Sequence, residues 1–178
     1  MQKLSSTEMG RDSIGDFKSK KKFPLTIVLD NIRSALNVGS AFRSADAFAV
    51  ERIVCIGITA TPPHREILKT ALGSTESVDW VYFDSLKSAW ESNLFSNCTC
   101  VAIEQTTNSV SLSDYHFEKN QSYALFFGNE VDGVSGEALS ICTHALEIPQ
   151  YGTKHSLNVS VCIGILSWEF VRQMGIYP

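Results

Sequence analysis

Residues 148–161 read IPQYGTKHSLNVSV, and this stretch lies between a short apolar strand and a long apolar helix. Pro149 and Gly152 interrupt the apolar pattern and predict a loop. Ser156 and Asn158 follow where the helix opens, and Ser156 taken alone is typical of a helix N-cap. Small polar side chains at a helix start also offer hydrogen bonds to a ligand. The stretch therefore predicts either a simple cap or one wall of a binding site.

Apolar runs of strand length alternate with amphipathic helical segments along most of the chain. We predict strands at residues 25–29, 52–56, 78–83, 100–103, 123–127 and 145–148, and helices at 37–48, 65–72, 85–95, 135–142 and 157–174. This alternation indicates an α/β fold whose mostly parallel sheet is covered by helices on both faces. Ligands of such folds bind beyond the carboxyl ends of the strands, where Asn37, Glu104, Gly128 and Gly152 are expected.

The bulk composition is that of a folded globular domain. A chain of 178 residues, 44% of them hydrophobic and 19% charged, is long enough for one domain with a sizeable core. Neither a membrane-spanning apolar run nor a signal-peptide pattern is present, so a cytoplasmic location is expected. The five cysteines lack the spacing of a zinc site or a redox pair, which favours free thiols. A net charge of −4 argues against a uniformly basic nucleic-acid coat but allows a local basic patch.

The first 23 residues form a polar segment that ends in a run of lysines at Lys18 and residues 20–22. The remainder, residues 24–178, is predicted to be the folded domain. Part of the arm fits one loose amphipathic helix, through Glu8, Met9, Arg11, Ile14, Phe17 and Lys18. The arm could be merely solvated, or it could contact a polyanion or a second subunit.

A second informative stretch runs from Asp30 to Arg43 and opens a helix. Asn37 can cap that helix, and Gly39 in its first turn allows close approach to the backbone. Arg43 lies about one and three-quarter turns beyond Asn37 on an otherwise apolar helix. It could form a surface ion pair, or its guanidinium could grip a phosphate or stabilise a developing oxyanion.

The third stretch, residues 127–134, reads FGNEVDGV and predicts a tight loop after a strand. It is neither a dinucleotide-binding GxGxxG motif nor a phosphate-binding P-loop. Glu130 is expected to pair with a neighbouring arginine, and that pairing could fix Arg43. In the closing stretch, Lys154 and His155 bring positive charge, and His155 is either a general base or a solvated loop residue.

Together the three stretches resemble the ordered motifs of the SpoU (TrmH) family, which are S-adenosylmethionine-dependent RNA ribose 2′-O-methyltransferases of the SPOUT superfamily. The matching residues are Asn37-Val38-Gly39 with Arg43, Phe127-Gly128-Asn129-Glu130, and Ile148-Pro149 with residues 156–161. The resemblance extends over residues 24–174, and the segment from Pro62 to Gly73 is similar to the family's loop between its first two motifs.

This resemblance implies a C-terminal deep trefoil knot that forms the S-adenosylmethionine pocket, and a homodimer with the last helix and the first-motif region near its interface. The apolar face of residues 157–170, including Trp168, fits either that interface or the core of the chain itself. The resemblance implies that the cofactor is contacted by Glu104, Phe127, Gly128, Asn129, Ile148, Pro149, Ser156 and Leu157. It also implies a catalytic group made of Arg43, Asn37, Glu130, Ser156 and Asn158. In that group Arg43 would orient a phosphate and stabilise the forming alkoxide, and Glu130 would hold Arg43.

The expected substrate is a structured RNA, tRNA rather than rRNA, and no metal is implied. RNA contacts are expected from the basic residues Arg33, Arg43, Arg65, Lys69, Lys154 and His155. Two alternatives remain open at this point. The chain could be a SPOUT enzyme that methylates an RNA base, or an RNA-binding protein without activity.

Overall fold

The N-terminal segment contains one short helix in the computed structural model, which describes residues 3–4, 10 and 12–175. This helix, α1 (Ile14–Ser19), begins at the cap Ser13, whose side chain accepts a hydrogen bond from the Asp16 backbone. The Phe17 side chain packs against the main core. Of the predicted amphipathic helix, Ile14, Phe17 and Lys18 lie in α1, while Glu8, Met9 and Arg11 lie outside the described residues.

A seven-stranded sheet accounts for the strands found in the described part of the chain. In chain order the further elements are β1 (Phe23–Asp30), α2 (Ala35–Ala47), β2 (Val50–Ile56), α3 (Arg65–Ala71), α4 (Ser74–Ser77), β3 (Asp79–Phe83), α5 (Leu86–Glu91), β4 (Cys98–Ile103), β5 (Val110–Ser111), β6 (Ser122–Phe127), α6 (Gly136–Ile141), β7 (His144–Glu147) and α7 (Val159–Met174). The spatial order is β3-β2-β1-β6-β4-β7-β5, and every recorded pairing is parallel. The predicted α/β fold with a parallel sheet is therefore confirmed.

Both faces of the central strands are buried, as their continuous apolar sequences predicted, while the edge strand β3 is largely exposed. On β1, the side chains of Leu25, Ile27 and Leu29 point into one core, and Val28 points into the other. All four are fully buried, which stabilises the fold by about 1.5–3 kcal/mol for each side chain. The first core contains α2 and α7, and the second contains α5 and α6. Among the described residues, no helix is long and apolar enough to span a membrane.

The central strands end together, and this alignment places the loops that follow them on one rim. Leu29 pairs with Phe127, Phe127 pairs with Ile103, and Ile103 pairs with Leu146. The chain leaves the sheet within one or two residues of each of these positions. Segments that are distant in sequence therefore meet beyond the carboxyl ends of β1, β6, β4 and β7, as predicted for a parallel sheet.

The two helices that begin at this rim are capped by residues other than the predicted ones. In α2 the cap is Ser34, whose side chain accepts a hydrogen bond from the Asn37 backbone at 3.3 Å. In α7 the cap is Asn158, so the helix begins at Val159 rather than Leu157. Predicting Asn37 and Ser156 as caps was therefore wrong. The consequence is that the side chains of Asn37 and Ser156 do not bond to a helix terminus.

Candidate active site

A cavity of about 660 Å³ opens at the rim, beyond the ends of β4, β6 and β7. Its walls come from residues 103–106, 127–134, 146–148, 150 and 155–159, with Leu139 and Cys162 from α6 and α7. Among the residues predicted to contact the cofactor, those that line the cavity are Glu104, Phe127, Gly128, Asn129, Ile148, Ser156 and Leu157. Pro149 does not line it and is exposed, whereas its neighbours Ile148 and Gln150 do.

The walls of the cavity are partly apolar and partly acidic. Ile103, Leu146 and Leu157 contribute apolar surface, and the carboxylates come from Glu104, Glu130, Asp132 and Glu147. The described lining contains neither lysine nor arginine. Such a cavity suits a ligand with a flat apolar part and a positive charge, and it is poorly suited to a polyphosphate.

Glu130 binds the start of α2. Its carboxylate accepts hydrogen bonds from the backbone N–H of Arg33 at 3.0 Å and of Ser34 at 3.1 Å, and from Nδ2 of Asn37 at 2.9 Å. The predicted pairing of Glu130 with Arg43 is not formed, because the carboxylate is already engaged at the other end of the helix. Partial burial, the largest single influence, raises the pKa of Glu130, but these hydrogen bonds together outweigh it and leave the pKa lowered.

Asn37 connects the second and third motif segments. While its Nδ2 donates to Glu130, its Oδ1 accepts a hydrogen bond from Nδ2 of Asn158 at 3.2 Å. Asn158 in turn accepts from the backbone N–H of Ser160 at 2.8 Å and from the Ser160 hydroxyl at 2.7 Å. The line Glu130–Asn37–Asn158 therefore joins the three stretches singled out in the sequence, and its two ends, Glu130 and Asn158, line the cavity.

A second set of bonds holds the loop after β6 against the loop after β1. Nδ2 of Asn129 donates to the Asn31 carbonyl at 2.9 Å, and Oδ1 of Asn129 accepts from the backbone of Val131 at 2.8 Å. The buried carboxylate of Asp30 accepts from the Ser135 backbone at 2.9 Å. Because these groups are paired within the protein, they fix the loops that surround the cavity.

Arg43 lies apart from the cavity, in a second groove of about 440 Å³. The residues that line this groove are Ser40, Arg43, Ser44, Ala47, Phe48, Lys69 and Thr70. Arg43 is exposed and has no ion-pair partner among the residues the structure describes. The hydroxyls of Ser40 and Thr70 both donate to the Leu36 carbonyl. The positive charge in the groove comes from Arg43 and Lys69. Two cations without a carboxylate between them suit a phosphate.

Gly39 has a different use from the predicted one. A Cβ at this position would come within 2.1 Å of Oγ1 of Thr70 and 2.4 Å of the Ile67 carbonyl. The space beside Gly39 is therefore filled by α3, and the close approach that glycine permits is between two helices. This packing brings Lys69 to the same groove as Arg43.

The remaining residues predicted to bind RNA are spread over the rim. The side chains of Arg33, Arg65 and Lys154 are exposed. His155 lines the cavity, and its carbonyl accepts a hydrogen bond from Nε2 of Gln105 at 3.3 Å. The sequence reasoning missed Gln105, although its position directly after Glu104 at a strand end was a usable signal. It also missed Asp132, although this residue lies within the stretch of residues 127–134 singled out above, and Cys162, for which the sequence offered no comparable signal.

Comparisons with known proteins agree with this geometry. The profile of the SpoU rRNA Methylase family matches residues 24–168. A 23S rRNA (guanosine-2′-O-)-methyltransferase, RlmB, from Vibrio vulnificus is 28% identical over 93% of this chain and 66% of its own length. A tRNA (guanosine(18)-2′-O)-methyltransferase from Thermus thermophilus is 29% identical over 96% of this chain and 88% of its own.

A solved structure shows the same fold. The SpoU methyltransferase AviRb from Streptomyces viridochromogenes, in complex with AdoMet, superposes with a TM-score of 0.76 at 26% identity. The match covers 89% of this chain and 63% of AviRb. The chain thus spans about two thirds of the length of RlmB and of AviRb.

Proposed function

Because the chain belongs to the SpoU rRNA methylase family, we propose that it transfers a methyl group from S-adenosylmethionine to a ribose 2′-hydroxyl of a structured RNA. The observation that carries this proposal is the hydrogen-bonded line Glu130–Asn37–Asn158, whose two ends line the cavity. It assembles polar groups from three distant segments where a substrate can meet a bound cofactor. Both curated relatives described above are named as 2′-O-methyltransferases, which supports ribose over base.

The cavity fits S-adenosylmethionine in size and in chemistry. Its volume of about 660 Å³ lies within the range of small-molecule sites. Ile148 and Leu157 would hold the adenine between apolar surfaces, and the carboxylates at the walls favour a positively charged sulfonium over a phosphate. When bound, this cofactor supplies an electrophilic methyl group.

Arg43 would serve the RNA rather than the cofactor. A ribose hydroxyl is a weak nucleophile until its proton leaves, and an arginine side chain stays protonated at neutral pH. Arg43 would therefore orient a backbone phosphate, together with Lys69, and stabilise the negative charge that forms on the ribose oxygen. The proton would pass to the phosphate or to solvent.

The polar line would position the ribose. Asn158 lines the cavity and is hydrogen-bonded to Asn37, and Ser156 adds an exposed hydroxyl on the same wall. Glu130 would keep the first turn of α2 in place through its hydrogen bonds to Arg33, Ser34 and Asn37. In this arrangement Glu130 acts on Arg43 only through the helix that carries both Asn37 and Arg43.

We propose that the substrate is tRNA, methylated in the cytoplasm. Of the two kinds of curated relative, the tRNA enzyme from Thermus thermophilus is matched over more of its own length, 88% against 66%. The exposed basic residues at the rim, Arg33, Arg65 and Lys154, would add phosphate contacts around the site. Mapping ribose methylation of tRNA and rRNA in a strain that lacks this protein tests the choice. A lost rRNA methyl group with intact tRNA would contradict it.

We propose that the protein is a homodimer that pairs through α7. Val161 and Trp168 are exposed on α7, and their spacing of seven residues places them on one side of the helix; Leu157, just before the helix, is exposed as well. The Trp168 ring lies 6.2 Å from that of Phe48, so the apolar stripe continues onto the end of α2 beside the Arg43 groove. Sedimentation velocity of Trp168→Glu should show a monomer. The matched variant Trp90→Glu, on α5, should leave the dimer intact.

We further propose that the C-terminal region forms the trefoil knot expected of the family. Side-chain contacts across the end of α7 support it. Oε1 of Gln173 accepts from the Phe117 backbone at 2.9 Å, and Nε2 of Gln173 donates to the Tyr115 carbonyl at 3.0 Å. The connection between β5 and β6 therefore contacts the end of α7, while residues 155–159, just before and at the start of α7, line the cavity.

The proposed function is tested by cofactor titration and methyl transfer on one preparation. Isothermal calorimetry should show S-adenosylmethionine binding, and transfer of labelled methyl to tRNA should follow. Binding without transfer to any RNA would contradict the activity. Absence of binding would leave only an RNA-binding protein and would overturn the proposal.

A further inference from the structure

We propose that Glu104 and Gln105, the two residues that follow β4, are positioning residues that hold the two other walls of the cavity in place. Glu104 holds the loop that carries Glu130, and Gln105 holds the loop that carries Ser156. The inference rests on the proposed function only in taking the cavity as the cofactor site. It changes the expected role of Glu104 from contacting the cofactor to supporting the loop that surrounds it.

The carboxylate of Glu104 is used within the protein. Oε2 accepts a hydrogen bond from the Val134 backbone at 3.0 Å, and Oε1 accepts one from the Gln105 backbone at 2.9 Å. The Glu104 backbone N–H donates to the Leu146 carbonyl of β7 at 3.0 Å, which fixes this residue to the sheet. A carboxylate anchored in this way is a rigid support for the loop above it.

The loop after β6 forms a tight turn that packs directly against the Glu104 carboxylate. Asn129 and Gly133 pair through both of their backbone groups at 2.9 Å, which turns the chain back on itself. Gly133 has φ +71, and a Cβ there would come within 2.2 Å of Oε2 of Glu104. The backbone therefore approaches the carboxylate as closely as glycine allows, and Glu130 lies inside this turn.

Gln105 holds the opposite wall. Its Nε2 donates to the His155 carbonyl at 3.3 Å. Residues 151–158 are all exposed, and Tyr151 is 97% exposed. Within residues 12–175, this is the single hydrogen bond that ties residues 149–157 to another part of the chain. Because that segment has little packing of its own, the position of Ser156 and Leu157 depends on Gln105.

The first test uses ligand-free protein and needs no activity. Trypsin cleaves after Lys154, which lies in the segment that Gln105 holds. Gln105→Ala and Gln105→Glu should be cleaved there roughly three- to tenfold faster than the unchanged protein, the factor expected for one lost hydrogen bond. Asn108→Ala, an exposed substitution on the same segment as Gln105, is the control and should be cleaved at the unchanged rate. Equal cleavage rates in all four proteins would overturn the role of Gln105.

The second test addresses Glu104. Glu104→Ala removes both acceptor oxygens, whereas Glu104→Gln keeps one that can still accept from the backbone of Val134 or of Gln105. Hydrogen exchange followed by mass spectrometry of Glu104→Ala should show faster exchange in the peptide containing Val134, with the strands unchanged. Unchanged exchange at Val134 in Glu104→Ala would overturn the role of Glu104.

The third readout separates positioning from general destabilisation. In the methyl-transfer assay, the Gln105 variants should raise KM for S-adenosylmethionine by roughly three- to tenfold and leave kcat within about twofold, because Gln105 is proposed to act on the loop that lines the cofactor cavity and not on the RNA. A fall in kcat at unchanged KM would contradict the proposal. If the unchanged protein binds no S-adenosylmethionine, the proposed function fails while the trypsin and exchange results still decide the positioning roles.

Discussion

Nδ2 of Asn158 donates a hydrogen bond to Oδ1 of Asn37 at 3.2 Å, across 121 positions of the chain. Asn158 also caps α7, so its side chain has two roles: Oδ1 accepts from the Ser160 backbone at the helix start, and Nδ2 binds the first motif segment. Substitutions can separate these two roles.

Asn158→Asp should retain the cap and lose the bond to Asn37. An aspartate oxygen still accepts from the Ser160 backbone, so the free energy of unfolding should stay near that of the unchanged protein, whereas Asn158→Ala should lower it by about 1 kcal/mol. Both variants should reduce methyl transfer by about tenfold or more, because the amide no longer reaches Asn37. Urea denaturation and initial rates check this. Full activity in Asn158→Asp would contradict a role for the bond.

The hydrogen bonds to Glu130 should make stability depend on pH. Since the pKa of Glu130 is lowered from its ordinary value of 4.5, its stabilising effect is present above that value and is lost as pH falls through the lower, folded pKa. Glu130→Gln should therefore lose less stability than the unchanged protein between pH 5 and pH 3. Glu91→Gln, an exposed substitution on α5, is the control. Parallel pH profiles for the Glu130 variant and the unchanged protein would exclude this effect.

Arg43→Ala should abolish methyl transfer and leave S-adenosylmethionine affinity within about threefold, because Arg43 lies in a groove separate from the cavity. Isothermal calorimetry and single-turnover rates measure the two quantities. Arg172→Ala removes another exposed arginine, on α7, and should alter neither. An equal loss of cofactor binding in the Arg43 variant would refute this division of roles.

Gly133→Ala should destabilise the loop that carries Glu130. Alanine at φ +71 is strained, and its Cβ would approach Oε2 of Glu104 to 2.2 Å. We expect a loss of about 1–3 kcal/mol in the free energy of unfolding. Gly136→Ala is the matched control because a Cβ at Gly136 meets nothing within 4 Å. Similar thermal stability of the two variants would show that the close approach is unimportant.

The strands and the rim could be predicted from the sequence because each is decided locally. The run Leu25–Leu29 is almost entirely apolar, which is typical of a strand buried on both faces of a parallel sheet, and the loops after such strands share one edge. The short elements β5 and α4 were missed, since two and four residues carry too little periodicity to identify them.

The details of the site depended on contacts that a sequence does not express. Ser156 and Asn158 are both good N-caps by residue type. In the structure Asn158 is the cap, and its side chain also bonds to Asn37, a contact that the sequence does not reveal. Likewise, Glu130 pairs with the start of α2 rather than with Arg43 because of how the helix is oriented on the sheet. The polar residues of the three stretches could be picked out from the sequence, while their hydrogen-bond partners followed from tertiary packing.

The central claim is tested most directly by locating the transferred methyl group. The protein is incubated with tRNA and S-adenosylmethionine carrying an isotope-labelled methyl group, and the RNA is digested to nucleosides for mass spectrometry. We predict that the label appears on the ribose of one nucleoside, that the adjacent phosphodiester bond resists alkali, and that Arg43→Ala gives no product. Label on a base, with an unmodified ribose, would contradict the proposed function.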